Sequence, residues 1–88
     1  MKYTIFSKPV PLTEDAIAYE CKIYEDKEKY VNEKPYLIGN ASVQINRNGD
    51  YDDSIFFKKQ PIDVDAAKKE LEEHCRRRAR VVFPKKEK

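Results

Sequence analysis

Four groups of residues have the types and spacing from which chemistry can be built. They are His74, the pair Cys21 and Cys75, the polar run from Asn46 to Asp53, and the basic run that begins at Arg76. A general base needs a nucleophile or a second carboxylate held beside it. His74 instead sits at the flank of a helical stripe next to Cys75, so a packed imidazole is its ordinary reading. The two cysteines show no CxxC spacing, which speaks against zinc, redox work or a disulfide framework. Both fall at inward positions of their elements and read as buried free thiols.

The run Asn46, Asn48, Gly49, Asp50, Asp52 and Asp53 has the composition of a calcium loop but not its spacing. With Gly49 in the place of the invariant glycine, Gln44 stands first and Ile55 stands where a bidentate Glu is needed. The run is a polar turn, and Asp50, Asp52 and Asp53 form an acidic patch suited to a basic partner. The two glycines are far apart, so no phosphate-cradling loop exists. These readings exclude a recognisable catalytic or metal centre, and the expectation is a protein that is not an enzyme, with no cofactor and no small-molecule ligand.

The basic run is the strongest binding candidate. Residues 1–74 carry 11 Lys and Arg against 15 Asp and Glu, a balance of −4, while residues 75–88 carry 7 against 1, a balance of +6. Lysines and arginines neutralise phosphates. The candidate surface is therefore Arg76, Arg77, Arg78 and Arg80, with Lys85, Lys86 and Lys88 behind them. Lys58, Lys59, Phe56 and Tyr24 extend it if the outer face of a sheet lies alongside, since aromatics beside basic side chains stack on bases.

One long helix must position these groups. Asp63 is a natural N-cap, following Pro61, and good helix formers then dominate over 63–79. Val64, Ala67, Leu71, Cys75 and Val82 recur at helical spacing on one face. Asp65 to Lys69, Glu72 to Arg76 and Glu73 to Arg77 are i,i+4 pairs, and arginines at the C-terminal end suit the helix dipole. Arg78 falls within the apolar stripe. Either the helix stops near Arg77, or Arg78 runs its methylenes past a sheet edge, or it belongs to a binding surface. Residues 80–83 are the helix's last turn or a short edge strand.

The remaining elements read as strands. Residues 2–7 form a first strand with Tyr3 and Ile5 on one face, ended by Pro9 and Pro11. Ile17, Tyr19, Cys21 and Ile23 alternate over 16–25, a strand pattern with a helix as competitor; β-branched and aromatic content favours the strand. Residues 26–34 are a charged loop closed by Pro35. A long strand over 36–46 places Leu37, Gly39, Ala41, Val43 and Ile45 inward and Ile38 outward, with Gly39 marking a bulge or a close approach. A two-residue Asn–Gly turn would set Ile45 opposite Asp52. A three-residue loop over 48–50 pairs Val43 with Ile55 and Ala41 with Phe57, and is the expected register. The returning strand spans 51–59.

The expected fold is α+β: a small antiparallel sheet of about four strands, covered on one face by the C-terminal helix. A single domain over 1–84 carries a mobile basic tail over 85–88. The strand–hairpin–strand–helix order over 36–80 resembles the small three-stranded-sheet-plus-helix DNA-binding arms of phage-type integrases; element order alone carries that resemblance. Charged residues are 39% and hydrophobic ones 40%. No apolar run approaches the roughly 20 residues of a membrane helix, and the start lacks a signal peptide's apolar core, so a cytoplasmic setting is expected, in a host if virus-encoded. The leading function is a non-enzymatic binding protein acting on another protein, as an adaptor or inhibitor. Phages and other mobile elements encode inhibitors of this size, and a nucleic-acid-handling complex is a suitable target. Direct nucleic-acid binding is the alternative.

Overall fold

The computed structural model describes residues 3–26 and 36–84. The loop expected over 26–34, apart from Asp26, and the tail over 85–88 lie outside the described residues. Four strands, β1 (Tyr3–Thr13), β2 (Ala16–Glu25), β3 (Tyr36–Asn46) and β4 (Tyr51–Phe57), precede one helix, α1 (Val64–Val82). The strands pair antiparallel in sequence order, β1-β2-β3-β4, and α1 packs on one face. This is the α+β arrangement that the alternation and the helix periodicity predict.

The alternation on β2 resolves the competition between strand and helix. Ile17, Tyr19, Cys21 and Ile23 are buried under α1, together with Tyr3 and Ile5 on β1 and Ala41, Val43 and Ile45 on β3. From the helix, Ala67, Leu71, Cys75 and Ala79 complete this core. Asp63 caps α1 by accepting from the Ala66 N–H at 3.1 Å. Residues 80–83 are the helix's end rather than a strand, with the Phe83 N–H donating to the Ala79 carbonyl at 2.7 Å. The helix therefore runs past the expected limit at residue 79. Val82 is 46% exposed and does not join the buried stripe. Ala79, one turn beyond Cys75, takes the place the spacing gave to Val82.

Three expectations about the strands are corrected. Pro9 and Pro11 do not end β1, which continues to Thr13. β1 is an edge strand, and a proline that lacks an N–H is tolerated where that group faces away from the ladder. On β3, Ile23 pairs with Gly39 but Tyr24 pairs with Leu37, so Ile38 is an inserted residue. The bulge turns Ile38 fully inward, in the place expected for Leu37. Its carbonyl accepts from the Lys58 and Lys59 N–H groups at 2.7 and 3.2 Å, which stops β4 at Phe57 instead of residue 59. Gly39, next to the bulge, allows the close approach of β4: a Cβ there would stand 2.5 Å from the Phe56 carbonyl oxygen.

The β3–β4 hairpin has a three-residue glycine loop, but over 47–49 rather than 48–50. The Gly49 N–H donates to the Asn46 carbonyl at 2.9 Å, and Gly49 has φ +98°, a conformation natural to glycine. Ala41 faces Ile55, Gly39 faces Phe57 and Val43 faces Asp53. The displacement from the expected register is two residues, so every side chain keeps its expected face. At this end Arg47 ties two turns together, bonding the Asp15 carboxylate at 2.8 Å and the Glu14 carbonyl at 2.7 Å while its guanidinium lies 4.9 Å over the Phe83 ring.

Candidate functional site

The side of the sheet opposite α1 is uncovered among the described residues. Antiparallel pairing sets its side chains in rows across the strands. One row runs Phe6, Lys22, Asn40, Phe56, and the next runs Lys8, Glu20, Ser42, Ser54. Phe6 and Phe56 are 60% and 66% exposed. With adjacent strands about 4.8 Å apart, they stand about 14 Å from one another on either side of a polar centre. Beside Phe56 lies an open depression of ≈ 420 Å³, also lined by Lys8, Glu20, Lys22, Asn40, Ser42 and Ser54. Phe6 is braced edge-on by the Tyr24 ring, with centroids 5.3 Å apart at 86°. Such T-shaped contact fixes an aromatic that water surrounds. The strand charges on this side balance, Lys8 and Lys22 against Glu20 and Asp52.

The residues singled out in the sequence are spread over both sides of the sheet. Phe56 and Tyr24 share the uncovered face. Lys59 turns away from it, its ammonium 5.1 Å from the Tyr36 ring, and Lys58 lies just beyond the end of β4. The arginines belong to α1 on the opposite side. Arg76 bonds Glu72 at 2.7 Å and the Gly49 carbonyl at 3.0 Å, and its guanidinium stacks 5.1 Å over Tyr51, so it fastens the helix to the hairpin. Of the three i,i+4 pairs, Glu72–Arg76 is the one that closes among the described residues. Arg77, Arg78 and Arg80 are exposed. The acidic patch is divided as well. Asp50 accepts from Asn48 at 3.2 Å in the turn, Asp52 points to the uncovered face, and Asp53 points to the helix side, accepting from the Tyr51 hydroxyl at 2.8 Å. Burial and the Asp53 carboxylate push the Tyr51 hydroxyl well above the ordinary tyrosine range.

His74 has a structural partner. Its Nε2 lies 2.9 Å from the Ser7 Oγ, joining α1 to β1. Burial, then the charges of Arg78 and Arg77, hold its pKa below the ordinary histidine value. Among the described residues no cluster of three or more His, Cys, Asp or Glu can hold a metal ion.

Glu25 passed unnoticed in the sequence. It is 1% exposed and stands where β1, β2, β3 and the entry to α1 converge. Its carboxylate accepts from the Tyr36 hydroxyl at 2.8 Å and the Ile62 N–H at 3.0 Å, and it also bonds the Tyr3 hydroxyl, which in turn accepts from the Asp63 N–H at 3.0 Å. Burial pushes this carboxyl up, but the bonds from Ile62, Tyr3 and Tyr36 outweigh burial and hold it below the ordinary value of 4.5. The readable signal was its phase, since Glu25 follows Ile17, Tyr19, Cys21 and Ile23 on the inward side of β2.

No helix among the described residues is long and apolar enough to cross a membrane. No family model, no curated protein and no solved structure matches this chain.

Proposed function

We propose that this is a non-enzymatic binding protein of adaptor or inhibitor type, which docks another protein on the uncovered face of its sheet. The observation that supports this reading is the row Phe6, Lys22, Asn40, Phe56, with two exposed phenylalanines on a face whose strand charges cancel. Aromatic side chains concentrate binding energy in protein interfaces by burying large area at little entropic cost. A phosphate backbone draws its affinity from net positive charge, which this face lacks. The cross-strand pairing holds both rings on one rigid platform, so little ordering is needed when a partner binds.

Direct nucleic-acid binding is the second reading. Its support is the exposed group Arg77, Arg78 and Arg80, which makes no ion pair among the described residues. The two readings use opposite sides of the molecule, so one experiment separates them. Affinity capture is run from nuclease-treated and untreated lysate, with the natural chain and with a Phe6→Ser, Phe56→Ser double variant. The expected result is one protein retained regardless of nuclease and lost with the double variant. Capture that vanishes with nuclease, or that survives both substitutions, refutes docking through the sheet face.

A further inference from the structure

Two thiols far apart in the chain meet at the centre of the core. Cys21 on β2 and Cys75 midway along α1 are both free, 3% and 0% exposed, with their Sγ atoms 3.7 Å apart. We infer that Cys21 and Cys75 are an oxidation site, at which a small hydroperoxide converts the pair to an intramolecular disulfide that staples α1 to the sheet.

The surroundings permit the closure. A disulfide needs an S–S separation of about 2.05 Å, so the sulfurs must approach by about 1.7 Å. Cys21 is flanked across the strands by Ser7 and Ala41, both small, and one helical turn beyond Cys75 stands Ala79. The neighbours of Cys21 on the adjoining strands are therefore short, while Tyr19 and Ile23 flank it along β2 and Leu71 precedes Cys75 by one turn on α1. Burial of both sulfurs excludes large disulfide reagents and leaves peroxide as the class of oxidant that can enter when α1 lifts locally.

The Arg78 guanidinium favours ionisation at both sulfurs. The hydrogen bond between the sulfurs lowers the Cys21 thiol against the opposing effect of burial, and the Arg78 guanidinium lowers it further, while Glu20 opposes. That same bond and burial push the Cys75 thiol up, with Arg78 working against them. The attacking species is a thiolate; with Cys21 in that role the steps balance, and they balance equally with the two sulfurs exchanged. The Cys21 thiolate bonds one peroxide oxygen as the O–O bond breaks. The departing hydroxide takes a proton and leaves as water, and Cys21 becomes a sulfenic acid. The Cys75 sulfur then attacks the Cys21 sulfur; the S–S bond forms, the S–O bond breaks, and the hydroxide leaves as a second water with the Cys75 proton. Two thiols lose two hydrogens and two electrons, and one peroxide becomes two waters.

The test uses the folded, reduced full chain, freed of reductant and exposed to hydrogen peroxide, with intact mass, thiol alkylation in denaturant and a non-reducing gel. The expected product is monomeric, lighter by two hydrogens, inert to alkylation, and restored by dithiothreitol. Thiols that remain alkylatable, masses raised by added oxygen without the two-hydrogen loss, or disulfide-linked dimers overturn the inference.

Discussion

Replacing Glu25 isolates the one buried carboxylate among the described residues, and the size of the effect follows from its partners. Its oxygens take hydrogen bonds from the Ile62 N–H, the Tyr36 hydroxyl and the Tyr3 hydroxyl. A hydrogen bond to a charged group contributes about 1.5–3 kcal/mol, and a buried donor left without an acceptor costs about 1–3 kcal/mol. These effects are not additive in a shared network. Glu25→Gln preserves shape and one acceptor oxygen but aims an amide NH₂ at a donor, so a loss of about 2–3 kcal/mol is expected. Glu25→Ala also leaves a cavity and is expected to lose about 4 kcal/mol. Domains of this kind have total stabilities of about 5–15 kcal/mol. With a urea dependence of about 1 kcal/mol per molar, the Gln variant's midpoint should fall by about 2–3 M. The sign with pH is also determined. The folded carboxyl titrates below its ordinary value of 4.5, so its contribution is complete above that value and disappears as pH falls through the folded pKa. The difference between the natural chain and Glu25→Gln should therefore shrink in acid. Equal urea midpoints at neutral pH, or a difference that stays constant into acid, would show that this junction does not hold the helix entry.

Two further outcomes are expected. Gly39→Ala places a Cβ 2.5 Å from the Phe56 carbonyl oxygen and 3.1 Å from the Phe57 Cα, so β4 must shift, at about 1–3 kcal/mol in urea unfolding; an unchanged midpoint would mean that β4 can retreat freely. His74 is held below its ordinary pKa of 6.5, so the unfolded chain takes up a proton that the folded one resists. The natural chain should lose stability as pH falls below about 6.5, while His74→Gln stays flat in that window, as read by thermal unfolding across a pH series.

The particular residues show which information a sequence of this kind carries. Strand β2 was legible because four apolar side chains alternate against polar ones, and α1 because Asp63 and a helical stripe agree. The hairpin register was not, because sliding β4 by two residues preserves the face of every side chain, so hydrophobic pattern cannot choose between Val43–Ile55 and Ala41–Ile55 pairing. Ile38 and Leu37 are both apolar and equally suited to the core, so only the ladder reveals which one is inserted. Pro9 and Pro11 ended β1 on paper because edge position is a property of the whole sheet. Sequence phase put Cys21 and Cys75 on the core side of their elements, but their contact depends on where a helix 54 residues away crosses β2. The residue types of the proposed binding surface are visible in the sequence, but their placement is not: Phe56 and Tyr24 lie on one side of the sheet and the arginines on the other.

The prolines of β1 bear on how copies of this molecule can associate. A sheet grows into a fibre only if both of its borders can accept another chain, since each added copy must offer a fresh border to the next. Pro9 and Pro11 remove two donors from the outward side of β1, whereas β4 carries no proline. The β1 border is therefore interrupted over its second half, whereas β4 keeps a backbone N–H at every residue. Two copies joined through β4 would leave their proline-interrupted borders outermost, which disfavours further addition. The interruption that looked like the end of a strand works against extension of the sheet along that stretch.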